Sequence, residues 1–263
     1  MEHHLQKGYG RQQYEEEPYN SINIVIPMAG AGSRFFSAGY DLPKPFIEFN
    51  GKMMIEHVLS SFNLVNANFT LVLQEKFLSE QKEQIDVLKN KYNVNIVTVP
   101  KLTMGAAITA LAAHKAVNPE YDIIFADSDN IFKPEDIASF ISDMRNRELD
   151  GGLLTFKSSE PCFSYAKAGN DGLLTETREK EVISNHAISG VYYFRNLEQF
   201  KDAVIDLIIE GGLSKGEFYM SSVYNRLKKF TDKIGIYDIE GFDCVGTPKQ
   251  LENYIRRTQV ARV

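Results

Sequence analysis

The sequence predicts an α/β fold with a mixed, mostly parallel central sheet flanked by helices. Three observations predict it. From Ile22 onward, short apolar runs alternate with stretches of helical period, the rhythm of strand–helix–strand units. From Gly151 the pattern changes to strands joined by turn-forming residues, which adds antiparallel pairing. The composition, 43% hydrophobic and 24% charged over 263 residues, is that of a globular chain long enough to bury a sizeable core.

The elements follow in order. Residues 1–21 are polar, with Glu15, Glu16 and Glu17 in a row and no apolar period; they predict an arm outside the domain. His3 and His4 within it read as bystanders. "INIVIP" (22–27) is the first strand. "MMIEHVLSSFNLV" (53–65) places Met54, Ile55, Val58, Leu59 and Phe62 on one helical face. "NFTLVLQ" (68–74) and "VNIVTVP" (94–100) are strands, separated by the amphipathic helix "LSEQKEQIDVLKNKY" (78–92). "TMGAAITALAAHKAV" (103–117) is a helix of small residues, and "YDIIFADSDNIF" (121–132) opens with a fourth strand. Beyond it, 151–157, 163–169, 187–196 and 233–241 read as strands. Residues 197–212, 216–230 and 247–260 read as helices, with Pro248 in the first turn of the last. No linker of biased composition divides the chain, so residues 22–263 predict one domain.

Bulk properties exclude several functions. A net charge of −6 argues against a nucleic-acid grip. No apolar run approaches 18 residues, so no membrane insertion is expected. Cys162 and Cys244 are far apart in sequence and lack metal spacing, which suits a reduced, cytoplasmic setting.

The chemistry gathers in two stretches. After the first strand comes "MAGAGSRFFSAGYDLPKP" (28–45). Open α/β sheets bind ligands beyond the carboxyl ends of their strands. Ala29, Gly30, Ala31, Gly32 and Ser33 form a small-residue loop at such an end, where backbone N–H groups can approach phosphate. Arg34 offers a forked set of donors, and Lys44 a point charge between two prolines that predict an extended backbone. The pattern is neither G-x-x-x-x-G-K-[ST] nor G-x-G-x-x-G, because Phe35 stands at the third glycine of the latter. A tight strand-to-helix turn with two surface cations is the plain alternative. In the second stretch, Asp127 and Asp129 close the fourth strand. Two carboxylates beside a phosphate loop are what Mg²⁺ needs, since it completes its octahedron with water and substrate oxygens. One of them also fits a simple turn aspartate.

Taken together, "GAGSR…PKP", "TMGAA", "SDNIF" and "EK" followed by "AISGVYYF" resemble the sugar-phosphate nucleotidyltransferases, in particular glucose-1-phosphate thymidylyltransferases and related cytidylyltransferases. The likeness runs from Ile22 to about Arg257. It implies a Rossmann-like nucleotide-diphospho-sugar transferase fold, with 22–135 as the nucleotide-binding half and 136–263 as the acceptor-binding half. It implies a nucleoside triphosphate and a sugar 1-phosphate or similar small phosphate as partners, Mg²⁺ as cofactor, and an activated product for surface polysaccharide synthesis. Residue by residue, it implies Arg34 and Lys44 on the triphosphate and Gly105 near the nucleoside. The resemblance also implies Asp129 as the metal ligand, with Asp127 the weaker candidate. Lys180 falls on the acceptor phosphate, and Ser189, Gly190 and Glu217 beside the acceptor.

Three departures accompany the likeness. The expected late aspartate ligand falls on Cys244 in "GFDCVGTPKQL", with Asp243 one residue away. Either Asp243 reaches in through a bulge, or a second late ligand is absent. "PKPFIE" is a variant form of the lysine motif, and Glu181 stands where a proline usually follows glutamate-lysine. A glycosyltransferase using a preformed nucleotide sugar, suggested by "DSD", and a non-catalytic nucleotide-sugar binder are the competing readings. A homo-oligomer is compatible with all three. His57 and His186 read as structural, as do the aromatics of "YYF" and "EFYMSSVY".

Overall fold

The computed structural model describes residues 21–260, so the expected arm and its histidines lie outside the described residues, apart from Ser21. Ser21 opens the first strand, β1 (Ser21–Pro27), one residue earlier than the sequence pattern suggests. Alternate residues of β1 enter opposite sides of the molecule. Ile22, Ile24 and Ile26 join one core, and Val25 joins the other. A strand buried on both faces reads as a continuous apolar run, which is why "INIVIP" shows no polar alternation.

Along the chain follow α1 (Ser33–Ser37), a 3₁₀ turn over Lys44–Phe46, the small hairpin β2 (Glu48–Phe49) and β3 (Lys52–Met53), and α2 (Met54–Ser60). Then come β4 (Asn66–Gln74), α3 (Phe77–Glu80), α4 (Lys82–Tyr92), β5 (Asn95–Val99), α5 (Ala106–Leu111) and β6 (Asp122–Ala126). The second half holds β7 (Asn130–Ile131), α6 (Pro134–Asn146), β8 (Gly151–Lys157), β9 (Tyr165–Ala168), β10 (Leu174–Arg178) and β11 (His186–Phe194). It closes with α7 (Leu197–Ile209), α8 (Met220–Leu227), β12 (Ile234–Ile239), β13 (Asp243–Cys244) and α9 (Pro248–Val260).

Among the described residues the main sheet has nine strands. β5, β4, β1 and β6 run parallel in that order, and β11 joins β6 antiparallel. β11 is shared. Its carboxyl half, from Val191 to Phe194, lies against β6, while His186 and Ala187 pair with β9 along the same edge. Along its other edge it pairs with β8, and the register slips between Ile188 and Tyr192. β12 adds to β8 in parallel. The sheet is therefore mixed and mostly parallel in its first half, as the sequence predicts.

Three differences from the sequence reading have local causes. The helix expected over 78–92 is broken at Gln81, whose φ of −126° lies outside the helical region, leaving α3 and α4. The helix expected from Gly216 starts only at Met220, because Lys215 (φ 49°) and Gly216 (φ 84°) form a tight turn closed by Ser214 and Glu217. α6 and β10 were not anticipated. α6 nevertheless carries Pro134 at its start, Glu135 and Asp136 in its first turn, and buried Ile137, Phe140, Ile141 and Met144 at helical spacing. His57 is structural as expected: its ring stacks on Phe49 at 4.2 Å and bonds the Phe49 carbonyl at 3.0 Å.

Tyr224 ties α8 to the sheet. It is fully buried, and its hydroxyl lies 2.9 Å from the Gly152 carbonyl and 2.8 Å from the Tyr193 carbonyl. One hydroxyl proton serves either acceptor. Replacing Tyr224 by Phe leaves both carbonyls without it and is expected to lower stability by about 1–2 kcal/mol in urea unfolding. The slope of unfolding free energy with urea should not change.

Candidate active site

The loop after β1 is anchored before it becomes free. The Met28 N–H donates to the Val72 carbonyl, and the buried Gln74 amide donates 2.8 Å to the Ala29 carbonyl. Gly30 and Ala31 then emerge into solvent. Gly32, at φ 63°, turns the chain into α1, and a Cβ there would sit 3.5 Å from the Lys44 Cβ. Ala31, Gly32, Ser33 and Arg34 line a cavity of about 600 Å³. Ala29 is buried beneath it.

Lys44 reaches the same cavity by a different device. The sequence predicts an extended lysine, but Lys44 opens the 3₁₀ turn, with Pro45 and Phe46 buried behind it. The anchored turn aims the side chain across the sheet end, and Nζ lies 2.7 Å from Asp129 Oδ2.

β6 delivers the carboxylates. The Asp127 N–H donates 2.9 Å to the Gly190 carbonyl, and the Asn130 amide donates 2.8 Å to the Ser189 carbonyl. Gly190 has φ 88°, and a Cβ on it would fall 2.7 Å from Asn130 Nδ2 and collide with the Asp127 carboxylate. Burial first, then the charge of Asp129, pushes the Asp127 carboxyl up to about 8, against the pull of Lys44. The Asn130 side-chain oxygen is buried without a partner. These are hard oxygen donors short of positive charge, and they fit a divalent cation of the Mg²⁺ type. Among the described residues no group of three or more His, Cys, Asp or Glu could hold a metal ion, so water and substrate oxygens would complete the shell.

Asp243 does not join them. β13 pairs antiparallel with β7, and adjacent side chains on a strand point to opposite sides. Cys244 lines the cavity, while the Asp243 carboxylate turns away and pairs with Arg257. Burial, then the Asp129 charge, pushes the Cys244 thiol up to about 11. Gly105 is likewise not on the wall; Ala106 is. Gly105 has φ 113°, and a Cβ there would meet the Phe218 backbone at 2.6 Å and 2.7 Å. It is needed where the Met104 carbonyl accepts from Phe218 N–H, a packing contact between two loops.

Lys180 and Glu217 do line the cavity, as do Ile188, Ser189 and Gly190. His186 does not: it pairs with Asp238 at 2.9 Å. The cavity also uses Ser164, Glu179 and Gln250, which sequence reasoning passed over, and Tyr192 and Tyr219, which it read as structural. Glu179 was within reach, because it is the glutamate of the glutamate-lysine step. Ser164 and Gln250 carry no local signal.

A family model for nucleotidyl transferases matches residues 24–217, the stretch that holds the loop, both aspartates, Lys180 and Gly190. The chain belongs to the nucleotidyl transferase family. Within that family, it is 24% identical over 228 residues to the bifunctional protein GlmU of Streptococcus agalactiae serotype V, covering 83% of this chain and 47% of the relative. The chain thus spans about half the length of that relative. It is 24% identical over 220 residues to the 2-C-methyl-D-erythritol 4-phosphate cytidylyltransferase of Thermosipho africanus, covering 83% of this chain and 84% of the relative. The crystal structure of a nucleoside-diphosphate-sugar pyrophosphorylase from Vibrio cholerae RC9 superposes with a TM-score of 0.78 at 25% identity, covering 89% of this chain and 99% of that one. Among the described residues no helix of this nucleotidyl transferase is long and apolar enough to cross a membrane.

The Gly190 turn gives the sharpest local test. Gly190→Ala adds a Cβ against Asp127 and Asn130 at a left-handed φ. It is expected to cost about 2 kcal/mol or more of stability in urea unfolding. Gly30→Ala, where a Cβ meets nothing within 4 Å, should change stability by less than about 0.5 kcal/mol.

Proposed function

We propose that the protein couples a nucleoside triphosphate to a small phosphorylated acceptor and releases pyrophosphate. The observation that carries this is the Lys44 ammonium, fixed 2.7 Å from Asp129 in a cavity whose walls also carry Arg34 and Lys180. Cations on both sides of a carboxylate pair suit two polyanions brought together, with a metal between them.

The chemistry follows from charge. An oxygen of the acceptor phosphate attacks the α-phosphorus of the triphosphate. The bond from that phosphorus to the bridging oxygen breaks, and pyrophosphate leaves in line. No covalent enzyme intermediate is needed. Arg34 and Lys44 screen the α-phosphate and the leaving group, and the loop over 29–33 offers backbone N–H groups to the triphosphate. Lys180 holds the acceptor phosphate. Asp129 and Asp127 would hold Mg²⁺, which supplies charge neutralisation on the triphosphate oxygens when bound. The product is a nucleoside-diphosphate-activated metabolite of the kind that surface polysaccharide synthesis consumes, made from soluble substrates in the cytoplasm. The match to the nucleotidyl transferase family favours this reading over transfer from a preformed nucleotide sugar.

The test is pyrophosphate release from common nucleoside triphosphates crossed with a panel of small phosphates. Lys44→Ala and Asp129→Ala are each expected to lower kcat by about 10²–10³-fold, by analogy with the loss of one transition-state donor. A chelator should abolish turnover, and added Mg²⁺ should restore it. Release that survives Asp129→Ala and chelation would remove the metal from the proposal. Release from no combination, with binding of a nucleotide sugar, would replace transfer by recognition.

A further inference from the structure

We infer that the carboxyl-terminal half of α7 is covered in solution by α7 of a second copy of this chain, related by a two-fold axis. None of the residues that carry the inference lines the cavity, so it stands apart from the transfer reading. The inner face of α7 is what a surface helix needs. Leu197, Phe200, Ala203, Val204 and Leu207 are buried, with the Phe200 ring against Phe125 and Phe194. The outer face should then be polar. It is polar only at its start, where Lys201 pairs with Glu198 at 2.7 Å and Asp202 is exposed. One turn later it becomes apolar. Ile205, Ile208 and Ile209 stand at the i, i+3, i+4 spacing that shares a face, and they are 45%, 41% and 78% exposed. Leu213, just beyond the end of α7, and Phe230, just beyond α8, are exposed as well. Among the described residues nothing covers this ridge.

A single exposed isoleucine is ordinary, but three on one face are not. Scaled by their exposure, the five side chains present roughly 500 Å² of surface, the size at which a patch on a monomer is often functional. Facing a copy of itself, the patch would remove roughly 1,000 Å² from water. The charged band beside it supplies a polar rim, which carries the total past the lower bound of about 1,200 Å² for a specific interface. The residue type suits burial too. Isoleucine is β-branched and stiff at χ1 in a helix, so ordering it against a partner costs little side-chain entropy. Ile205 and Ile209 form an i, i+4 ridge of the kind that interdigitates when helices pack, and a two-fold axis lets that ridge meet itself.

Charge identifies the occupant. A chain of net charge −6 repels its own copy over most of its surface. Beside this ridge the charge cancels. Lys229 lies 2.9 Å from Asp206 and also pairs with Glu210, and Arg226 pairs with Glu210. These two acids of α7 and two bases from α8 and its end close on one another within one copy. The band therefore adds no net charge, and it leaves no ion unpaired when it becomes a rim. Phe230 follows Lys229 directly, which sets it beside the same band. A lipid surface is a poor occupant, because helices that lie on membranes carry an excess of lysine and arginine beside the apolar face, and here half of the band is acidic. An apolar ridge with a neutral, self-satisfied rim suits a like partner, and the like partner present at every concentration of the protein is the chain itself.

The test is the mass of the purified full chain in solution, measured by light scattering over a dilution series that begins at the highest soluble concentration. The native chain is expected at twice the mass of one copy, dissociating on dilution. Ile209→Lys places a cation in the interface twice, once from each copy, and is expected to weaken association by about hundredfold or more. Ile205→Lys should act in the same direction. Leu78→Lys on α3 and Val87→Lys on α4 alter comparably exposed apolar positions elsewhere and should leave the dimer intact. All four positions face solvent, so each variant should keep the circular dichroism spectrum of the native chain, which separates loss of the dimer from loss of the fold. A larger assembly that Ile209→Lys cuts in half also supports the α7 contact. A monomer at every concentration would overturn the inference, and so would a dimer that survives both α7 substitutions. Either result leaves the transfer reading untouched, and absence of pyrophosphate release leaves this inference untouched.

Discussion

The hydrogen bond from the Asp127 N–H to the Gly190 carbonyl joins the two halves of the protein on the cavity wall. On one side of it β6 ends the parallel series; on the other, β11 begins to diverge. β11 can serve β6, β8 and β9 only by slipping register between Ile188 and Tyr192. A bulge of this kind bends the strand and opens a space beside it. Gly190 supplies the left-handed residue within that irregular stretch, and its missing Cβ is the room into which Asp127 and Asn130 fit. The cavity therefore exists because the sheet changes direction there. Residues placed on it come from both halves, so neither half alone carries the site.

That seam also explains the electrostatics. Asp127 is held by its own backbone, in a buried position beside Asp129, which is why its carboxyl is pushed up to about 8. Lys44 compensates Asp129 through a half-buried ion pair rather than a surface one, so it is only partly screened by solvent. The pair spans the sheet end and is aimed by the buried Pro45 and Phe46, not by flexible stem alone. A site with two near-adjacent carboxylates and one lysine is organised for a further cation before any ligand binds. Such preorganisation is the usual source of electrostatic catalysis.

How much of this was legible in sequence depends on whether the signal was local. β1, β4, β5 and β6 are buried runs with strand length, and the alternation of strands and helices gave the parallel order. The loop over 28–33, Arg34, Lys44, Asp127, Asp129 and Lys180 were singled out because glycines, charges and prolines at fixed spacing are local facts; the cavity wall carries the five charged residues and, of the loop, Ala31, Gly32 and Ser33, while Met28 and Ala29 are buried and Gly30 is exposed off the wall. α6 was legible and passed over, since Pro134, two acids and an apolar stripe all mark a helix. Ser164 and Ser221 were not legible. A serine acquires meaning only from what it touches, and these two lie 57 residues apart in sequence while bonding one carboxylate. At Gly105 the Phe218 backbone leaves no room for a Cβ, a requirement set by a residue far along the chain and so not legible locally.

The late metal ligand is the place where register outweighs composition. The sequence offers an aspartate and a cysteine side by side, and a two-residue strand can turn only one of them inward. Pairing of Cys244 with Asn130 and of Asp243 with Ile131 fixes which. Arg257 on α9 then engages Asp243 on the outer side, so swinging the carboxylate inward would break an ion pair as well as the strand register. The inward thiol is neutral near pH 7, with burial pushing it up to about 11, and sulfur is a poor ligand for a hard cation. Cys244 also falls outside the segment matched by the family model, which ends at residue 217. The hard oxygens at this end of the cavity therefore come from one turn after β6. A divalent cation held there as proposed would take more of its coordination shell from water and substrate than a third carboxylate would leave to them.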